Sequence, residues 1–228
     1  MKTTRTQAIV LRRTNYGEAD RIVQFLTPEG RRSVMARGVR KEKSKLAGGI
    51  ELFAVSDVVI GEGRGELGIL TSAKLVYFYR NIMKEYERLQ FGYEAIALVA
   101  RASETVDEPE WFDLLVEVLA ALDASTVPLA LVRAWFYLHY SALLGYELNT
   151  ARDCDGDALV DGARYRYDGV EQGFRMADDG LFGSDHIKLL RLIAGRPLKV
   201  LVQVGGIGAV VADCAQLAEQ HAAIETRG

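Results

Sequence analysis

The amino-acid sequence predicts an α+β protein in which a small five-stranded β-barrel is followed by an α-helical domain. Short apolar and β-branched runs, separated by turn signals, fill the first 80 residues. Near Tyr79 the spacing of apolar residues changes from alternation to the three-and-four pattern of helices. An Asp- and Gly-rich stretch at about 149–183 then interrupts the helical pattern. We therefore expect one domain at 1–80 and a helical domain at 81–228 that contains this insertion.

Five runs in the first domain have the length and composition of strands: 8–13, 21–27, 33–37, 53–60 and 67–75. Turn signals separate them, with Pro28-Glu29-Gly30 after the second run and a glycine-rich stretch at 61–65 after the fourth. Closing such a small sheet removes its exposed edges. The OB-fold is the common five-stranded closed barrel, so we expect a barrel of the OB type at 1–80.

Two apolar stripes at helical spacing open the second domain. The first comprises Ile82, Tyr86, Leu89, Tyr93, Ile96 and Ala100. The second comprises Phe112, Leu115, Leu119 and Leu122. A third helix should open at Pro128 and end at Gly145, because proline suits a first helical position and glycine a left-handed C-cap.

The remainder of the second domain is expected to contain a small β-like piece and two further helices. The β-like piece covers 164–168 within the insertion. Ser184 or Asp185 should cap a helix at 187–194, and a last helix should run from about 209 to 226.

Charge is distributed unevenly along the chain, although its net value is only −3. Residues 1–48 carry 12 Lys and Arg against 4 Asp and Glu, whereas the rest carries 16 against 27. Such asymmetry predicts a polyanion-binding part joined to an acidic part. The alternative is a basic segment that is merely solvated.

The basic residues concentrate between 31 and 45, where Glu42 is the only acid, and others lie on the preceding strands. Cations on a barrel face neutralise phosphates and give salt-sensitive, sequence-independent binding. Aromatic residues are sparse here, so we expect base stacking to be minor. The candidate nucleic-acid contacts are Arg12, Arg13, Arg21, Arg32, Arg37, Arg40, Lys41, Lys43 and Lys45.

No pattern of catalytic, metal or cofactor residues stands out. The G-x-G-x-x-G pattern at 63–68 precedes a strand instead of a helix, so it indicates a hairpin turn. Asp153, Asp155 and Asp157 start like a calcium loop that then lacks its glycine and glutamate, which leaves a Mg²⁺-dependent nuclease as an alternative. Cys154 and Cys214 form no Cys-x-x-Cys half-site.

Composition also bears on the compartment. No apolar run approaches the roughly 20 residues that a membrane span requires. The polar start shows no signal peptide, and two cysteines make no secreted disulfide framework. We expect a cytoplasmic protein that does not enter a membrane.

Six segments of the chain read AIVLRR at 8–13, YGEADR at 16–21, ARGVRK at 36–41, SKLAG at 44–48, LLGY at 143–146 and GRPLK at 195–199. Together they resemble the RecO family of recombination mediators. Many members carry two Cys-x-x-Cys pairs after the LLGY segment, as a zinc module. Here Cys154 is kept and Asp157 replaces its partner, so the chain is similar to the zinc-free variety, with hydrogen bonds and apolar contacts in place of the metal.

The resemblance implies a non-enzymatic protein of recombinational DNA repair. Such a protein binds single- and double-stranded DNA, anneals complementary strands, pairs with RecR and helps load RecA onto DNA coated with single-stranded-DNA-binding protein (SSB). It would work in the cytoplasm at the nucleoid. For the acidic C-terminal tail of SSB, which should need a cation beside an apolar pocket, we select Arg133 and Lys188.

Two alternatives stay open. The acid-free segment 186–212, which contains Lys188, could bind an acidic peptide or more DNA, or simply hold cations that favour helix C-termini. The whole chain could instead be an OB-type RNA-binding module, which would need aromatic residues on the surface of its strands.

Overall fold

A computed structural model describes residues 2–65 and 67–223. The chain divides into two compact units between Ala124 and Ser125. The first unit contains five strands and two helices, and the second contains the later helices and a small β-hairpin. The division between compact units therefore lies later in the chain than the change from strands to helices at residue 80.

The five N-terminal strands form a closed barrel, as predicted. They are β1 (Thr3–Tyr16), β2 (Asp20–Thr27), β3 (Gly30–Ala36), β4 (Ala54–Arg64) and β5 (Leu67–Phe78). Their order around the barrel is β1-β2-β3-β5-β4, with β3 and β5 parallel and the other neighbours antiparallel. β1 extends beyond the predicted run because its two ends are mostly polar, so the apolar pattern does not reveal them. β5 continues to Phe78, and its added residues Val76 and Tyr77 are both 52% exposed.

The barrel interior holds ten buried apolar residues: Ala8, Val10, Val23, Phe25, Val34, Ala36, Val39, Ile50, Val58 and Leu70. Two of them, Val39 and Ile50, come from the long connection between β3 and β4 and not from a strand. Leu46 and Ala47 of the same connection pack against this core. The connection therefore closes one end of the barrel.

Two helices, α1 (Tyr86–Ala102) and α2 (Glu110–Asp123), complete the first unit. The stripe predicted for α2 is confirmed, since all four of its residues are buried. The stripe predicted for α1 is confirmed at Ile82 and Ile96, which are buried, and wrong at its two tyrosines. Tyr86 and Tyr93 are 76% and 50% exposed, and the buried face carries Arg88, Phe91, Gly92, Ala95, Ile96, Val99 and Ala102.

The error on α1 has a physical cause. Tyrosine has an apolar ring and a polar tip, so it lies on a surface as readily as in a core. The face of α1 that is buried includes Arg88, so a count of apolar residues does not identify it as the buried face. The Nη1 of Arg88 donates to the carbonyl oxygens of Ala121 and Leu122 (3.4 and 3.3 Å), and its Nε donates to Glu85 (3.0 Å).

The second unit contains α3 (Leu129–Leu143), β6 (Tyr165–Asp168), β7 (Gly173–Met176), α4 (Ser184–Gly195), α5 (Leu198–Leu201) and α6 (Val211–Ala223). Gly145 adopts the predicted left-handed conformation (φ 90°) after α3. Residues 224–226 of the predicted last helix lie outside the described residues.

The predicted cap of α4 is wrong. Gly183 occupies the N-cap, one residue before Ser184. The hydroxyl of Ser184 accepts a hydrogen bond from the N–H of Gly162 (2.9 Å) instead of capping the helix. Among the described helices of both units, none is long and apolar enough to cross a membrane.

Candidate nucleic-acid interface

The connection between β3 and β4, residues 37–53, is tied to the turn between β1 and β2. The N–H of Gly38 donates to Oδ1 of Asp20 (2.7 Å), and the N–H of Arg40 donates to the carbonyl of Ala19 (2.9 Å). Gly38 has a φ of 63°, a conformation that glycine adopts without strain. Two hydrogen bonds and the buried Val39 thus fix the start of this connection on the barrel.

Cations alternate with these anchors and point away from the core. Arg37, Arg40, Lys41, Lys43 and Lys45 are all exposed, and we call these five residues the loop cations. Because Val39, Leu46 and Ile50 fill the barrel end, the loop cations are held around its rim. The basic segment is therefore packed against the barrel, with its cations exposed to solvent.

Three further candidates lie on the strands that lead to the same end. Arg12 is exposed on β1, opposite Gln24, and is four residues along the strand from Tyr16 at its end. The Nη1 of Arg13 donates to Oε2 of Glu51 (2.9 Å) and to the carbonyl of Ile50 (3.2 Å). Arg21 donates from Nε to Oδ1 of Asn15 (3.0 Å). Arg12 thus adds exposed charge, whereas Arg13 and Arg21 also hold the barrel end together.

Arg32 lies toward the other end of the barrel. It is opposite Phe25, whereas Ala36, which precedes the loop cations, is opposite Arg21. Arg32 precedes Ala36 by four positions along the strand, a distance of about 13 Å. Its guanidinium donates to the carbonyls of Arg31 and Glu29 and lines a cavity of about 470 Å³ with Lys2. The fold thus separates Arg32 from the loop cations, which lie close to it in sequence.

The two partner-binding candidates have different surroundings in the second unit. Arg133 on α3 pairs with Glu219 on α6 (2.9 Å). Lys188 on α4 is 57% exposed and makes a long ion pair with the exposed Asp161 (3.5 Å). Lys188 also borders an apolar groove of about 250 Å³, lined by Leu189, Leu192, Val204, Ile207 and Val210 among others. Asp185 also lines this groove, so a cation and a carboxylate lie together beside its apolar lining.

The aspartates of the insertion are engaged in turns and ion pairs. Oδ1 of Asp153 accepts the N–H groups of Asp155 and Asp157 (3.0 and 2.9 Å). Arg175 bridges Asp155 (3.1 Å) and Asp168 (3.4 Å) and so joins two turns. Within residues 2–65 and 67–223, no group of three or more His, Cys, Asp or Glu could hold a metal ion. The carboxylates of Asp153 and Asp155 are thus used in contacts within the insertion.

Aromatic packing and hydrogen bonds hold the insertion together. Tyr165, Phe174 and Phe182 are buried, and the N–H of Cys154 donates to the carbonyl of Phe174 (2.8 Å). Burial raises the pKa of the Cys154 thiol above its usual value. At the position of the zinc half-site, the cysteine is thus packed beside the hairpin as a thiol.

A buried histidine joins the insertion to the helices of the second unit. Nε2 of His221 lies 2.9 Å from the carbonyl of Tyr146, and Nδ1 lies 2.7 Å from the hydroxyl of Tyr167. A carbonyl only accepts, so Nε2 carries the proton and Nδ1 accepts from the tyrosine. Burial lowers the pKa of His221, which keeps the imidazole neutral.

An OB-type barrel with a rim of exposed cations places the chain in a class whose members commonly bind oligonucleotides. The family model described as Recombination protein O N terminal matches residues 1–79, and the one described as Recombination protein O C terminal matches residues 83–214. The chain therefore belongs to the RecO family.

Curated relatives agree with this assignment. The protein named DNA repair protein RecO of Roseiflexus sp. (strain RS-1) is 34% identical over 86% of this chain and 71% of its own length. The protein of that name from Rubrobacter xylanophilus is 31% identical over 71% of this chain. One from Dehalococcoides mccartyi (strain ATCC BAA-2266 / KCTC 15142 / 195) is 34% identical over 68%. The matches cover 66% and 62% of these last two relatives.

Proposed function

We propose that this protein is a recombination mediator that binds single- and double-stranded DNA and anneals complementary strands without catalysing a reaction. It would help load RecA onto SSB-coated DNA in recombinational repair, in the cytoplasm at the nucleoid. The observation that carries the proposal is the set of loop cations, exposed on a barrel end that Val39 and Ile50 fix in place.

The physical basis of annealing would be electrostatic. Each loop cation that neutralises a phosphate releases a counterion and favours binding independently of sequence. Two strands held at the same cationic rim repel each other less, because their phosphates share the same neutralising charges. Their bases then meet at high local concentration and can pair.

Exposure and hydrogen bonding support a particular set of contacts. Arg12 and the loop cations would contact phosphates directly. Arg13 and Arg21 would contribute charge and hold the barrel end through Glu51 and Asn15. Arg32 was selected from the sequence alone, but its guanidinium is held by the carbonyls of Arg31 and Glu29 beside the cavity that it lines with Lys2, so we leave it out of the proposed interface.

The partner proposals rest on the second unit and on the family. We propose that the acidic tail of SSB docks in the groove beside Lys188, where a cation adjoins an apolar lining. Arg133 has a partner in Glu219, so its contribution would require that ion pair to open. Pairing with RecR and the indirect effect on RecA are proposed from family membership.

Annealing of complementary fluorescent oligonucleotides coated with SSB tests the proposal. The wild type is compared with a variant carrying Arg37→Glu, Arg40→Glu and Lys43→Glu. A control carries the same charge change at exposed positions Lys2, Arg32 and Arg101. Lys2 and Arg32 border the cavity away from the loop cations. Arg101 lies three residues before Glu104, whose ion pair with Arg31 is at the start of β3.

We expect the wild type and the control to anneal the strands, faster at low salt, and the loop variant to lose annealing. A folded wild-type protein that neither binds nor anneals DNA would refute the proposal. Tight binding of an RNA oligonucleotide with no binding of DNA would instead favour the RNA-binding alternative. A control as defective as the loop variant would show that only net charge matters and would refute the assigned interface.

A further inference from the structure

An exposed tyrosine ends β1 at the rim that carries the loop cations. Tyr16 is 56% exposed and is the last residue of the strand. The next residue, Gly17, turns the chain with a φ of 57°. The Nη1 of Arg40 donates to the carbonyl of Gly17 (3.2 Å), which brings a loop cation to the backbone beside Tyr16.

The strand register places this ring between cations. Arg12, Thr14 and Tyr16 alternate along β1 and are all exposed, so they share its outer face. Tyr16 on β1 pairs with Asp20 on β2. The next residue of β2, Arg21, pairs with Ala36 on β3, so Arg37, which follows Ala36, lies alongside Asp20. Two strand spacings, about 10 Å, therefore separate Tyr16 from Arg37.

The other exposed tyrosines of the first unit are in different settings. The hydroxyl of Tyr77 donates to Asp123 (3.1 Å). The ring of Tyr93 packs against Phe53, with 4.9 Å between centroids. Tyr86 lies between the exposed Glu85 and Glu87, whose charges repel phosphates. Tyr16 also has an acid opposite it, Asp20, but the Oδ1 of Asp20 accepts the N–H of Gly38. Exposure, an unhindered outer face and neighbouring cations thus coincide at Tyr16.

We propose that Tyr16 stacks on a base of single-stranded DNA whose backbone is held by Arg12, Arg37 and Arg40. The inference rests on the proposed function and adds the feature that selects single strands. Stacking on an aromatic ring tolerates any base, because every base has a π-face. A base inside a duplex is already stacked on both sides, so Tyr16 contributes little to duplex binding. The sequence predicts that base stacking is minor in this barrel, and the proposal departs from that prediction at Tyr16 alone.

Equilibrium binding of the full chain to oligonucleotides containing 2-aminopurine tests the inference, because stacking quenches the fluorescence of this base. The variants are Tyr16→Leu, which removes the ring, and Tyr16→Phe, which keeps it. Tyr86→Leu is the matched control, since it removes another exposed tyrosine of the same unit. Affinity for a single strand, affinity for the matching duplex and salt dependence are measured for each protein.

Tyr16→Leu should weaken single-strand binding by about fivefold or more, as expected for one lost stacking contact. Quenching should disappear, whereas duplex affinity and salt dependence stay near wild type. Tyr16→Phe and Tyr86→Leu should behave like the wild type. These results together would support the inference.

Two outcomes would overturn the inference while leaving DNA binding intact. In one, Tyr16→Leu binds single strands with wild-type affinity and quenching. In the other, it weakens single-strand and duplex binding equally, which would indicate loss of rim structure. A wild type that binds neither substrate would instead refute the proposed function and this inference with it.

Discussion

Removing charge from the loop cations should flatten the salt dependence of DNA binding by an amount that the structure allows us to calculate. Six exposed cations line the proposed path, namely Arg12 and the five loop cations. If each neutralises one phosphate, the slope of log K against log salt is about −5 for a duplex and about −4 for a single strand. Alanine at Arg40, Lys41 and Lys43 removes half of the contacts and should halve both slopes.

Fluorescence anisotropy of a labelled oligonucleotide, titrated between about 50 and 200 mM salt, measures these slopes. The control carries alanine at Lys2, Arg32 and Arg101 and should keep the wild-type slopes. Unchanged slopes in the loop variant would refute the assignment of these residues to the phosphate path. Equal flattening in the control would refute the exclusion of Arg32.

Two further predictions concern the groups that support the site. Arg13→Met should lower the free energy of unfolding, measured in urea, by about 1 kcal/mol, because Ile50 and Glu51 each lose a hydrogen bond. The salt slope of DNA binding should change by no more than one contact. Wild-type stability of this variant would contradict the anchoring role of Arg13. The lowered pKa of the buried His221 means that the unfolded chain takes up a proton first, so wild-type stability should fall as the pH drops below the ordinary histidine value of 6.5. His221→Gln keeps a donor for Tyr146 and should lose less of its unfolding temperature between pH about 7 and about 5; equal losses would contradict a neutral buried imidazole.

The elements that could be predicted from the sequence are those that depend on local pattern. Five alternating runs and their turns determine five strands, and their number and short connections favour a closed barrel. The stripe of α2 is unambiguous because its apolar residues share one face. On α1 two faces compete, and the buried one includes Arg88, whose charge is satisfied by Glu85 and by two carbonyls of α2. Contacts between α1 and α2 decide the choice, and a sequence pattern does not contain them.

For the candidate site, too, some features could be predicted from the sequence and others could not. The sequence by itself determined that cations concentrate between residues 31 and 45, because composition is a local property. Only the tertiary structure decided which of them share a surface. The register puts Arg32 at a distance from the loop cations and gives Arg13 and Arg21 partners, while it leaves Tyr16 exposed beside Arg40. Neighbours in space are set by strand pairing and by the buried anchors Val39 and Ile50, which act between residues far apart in the chain.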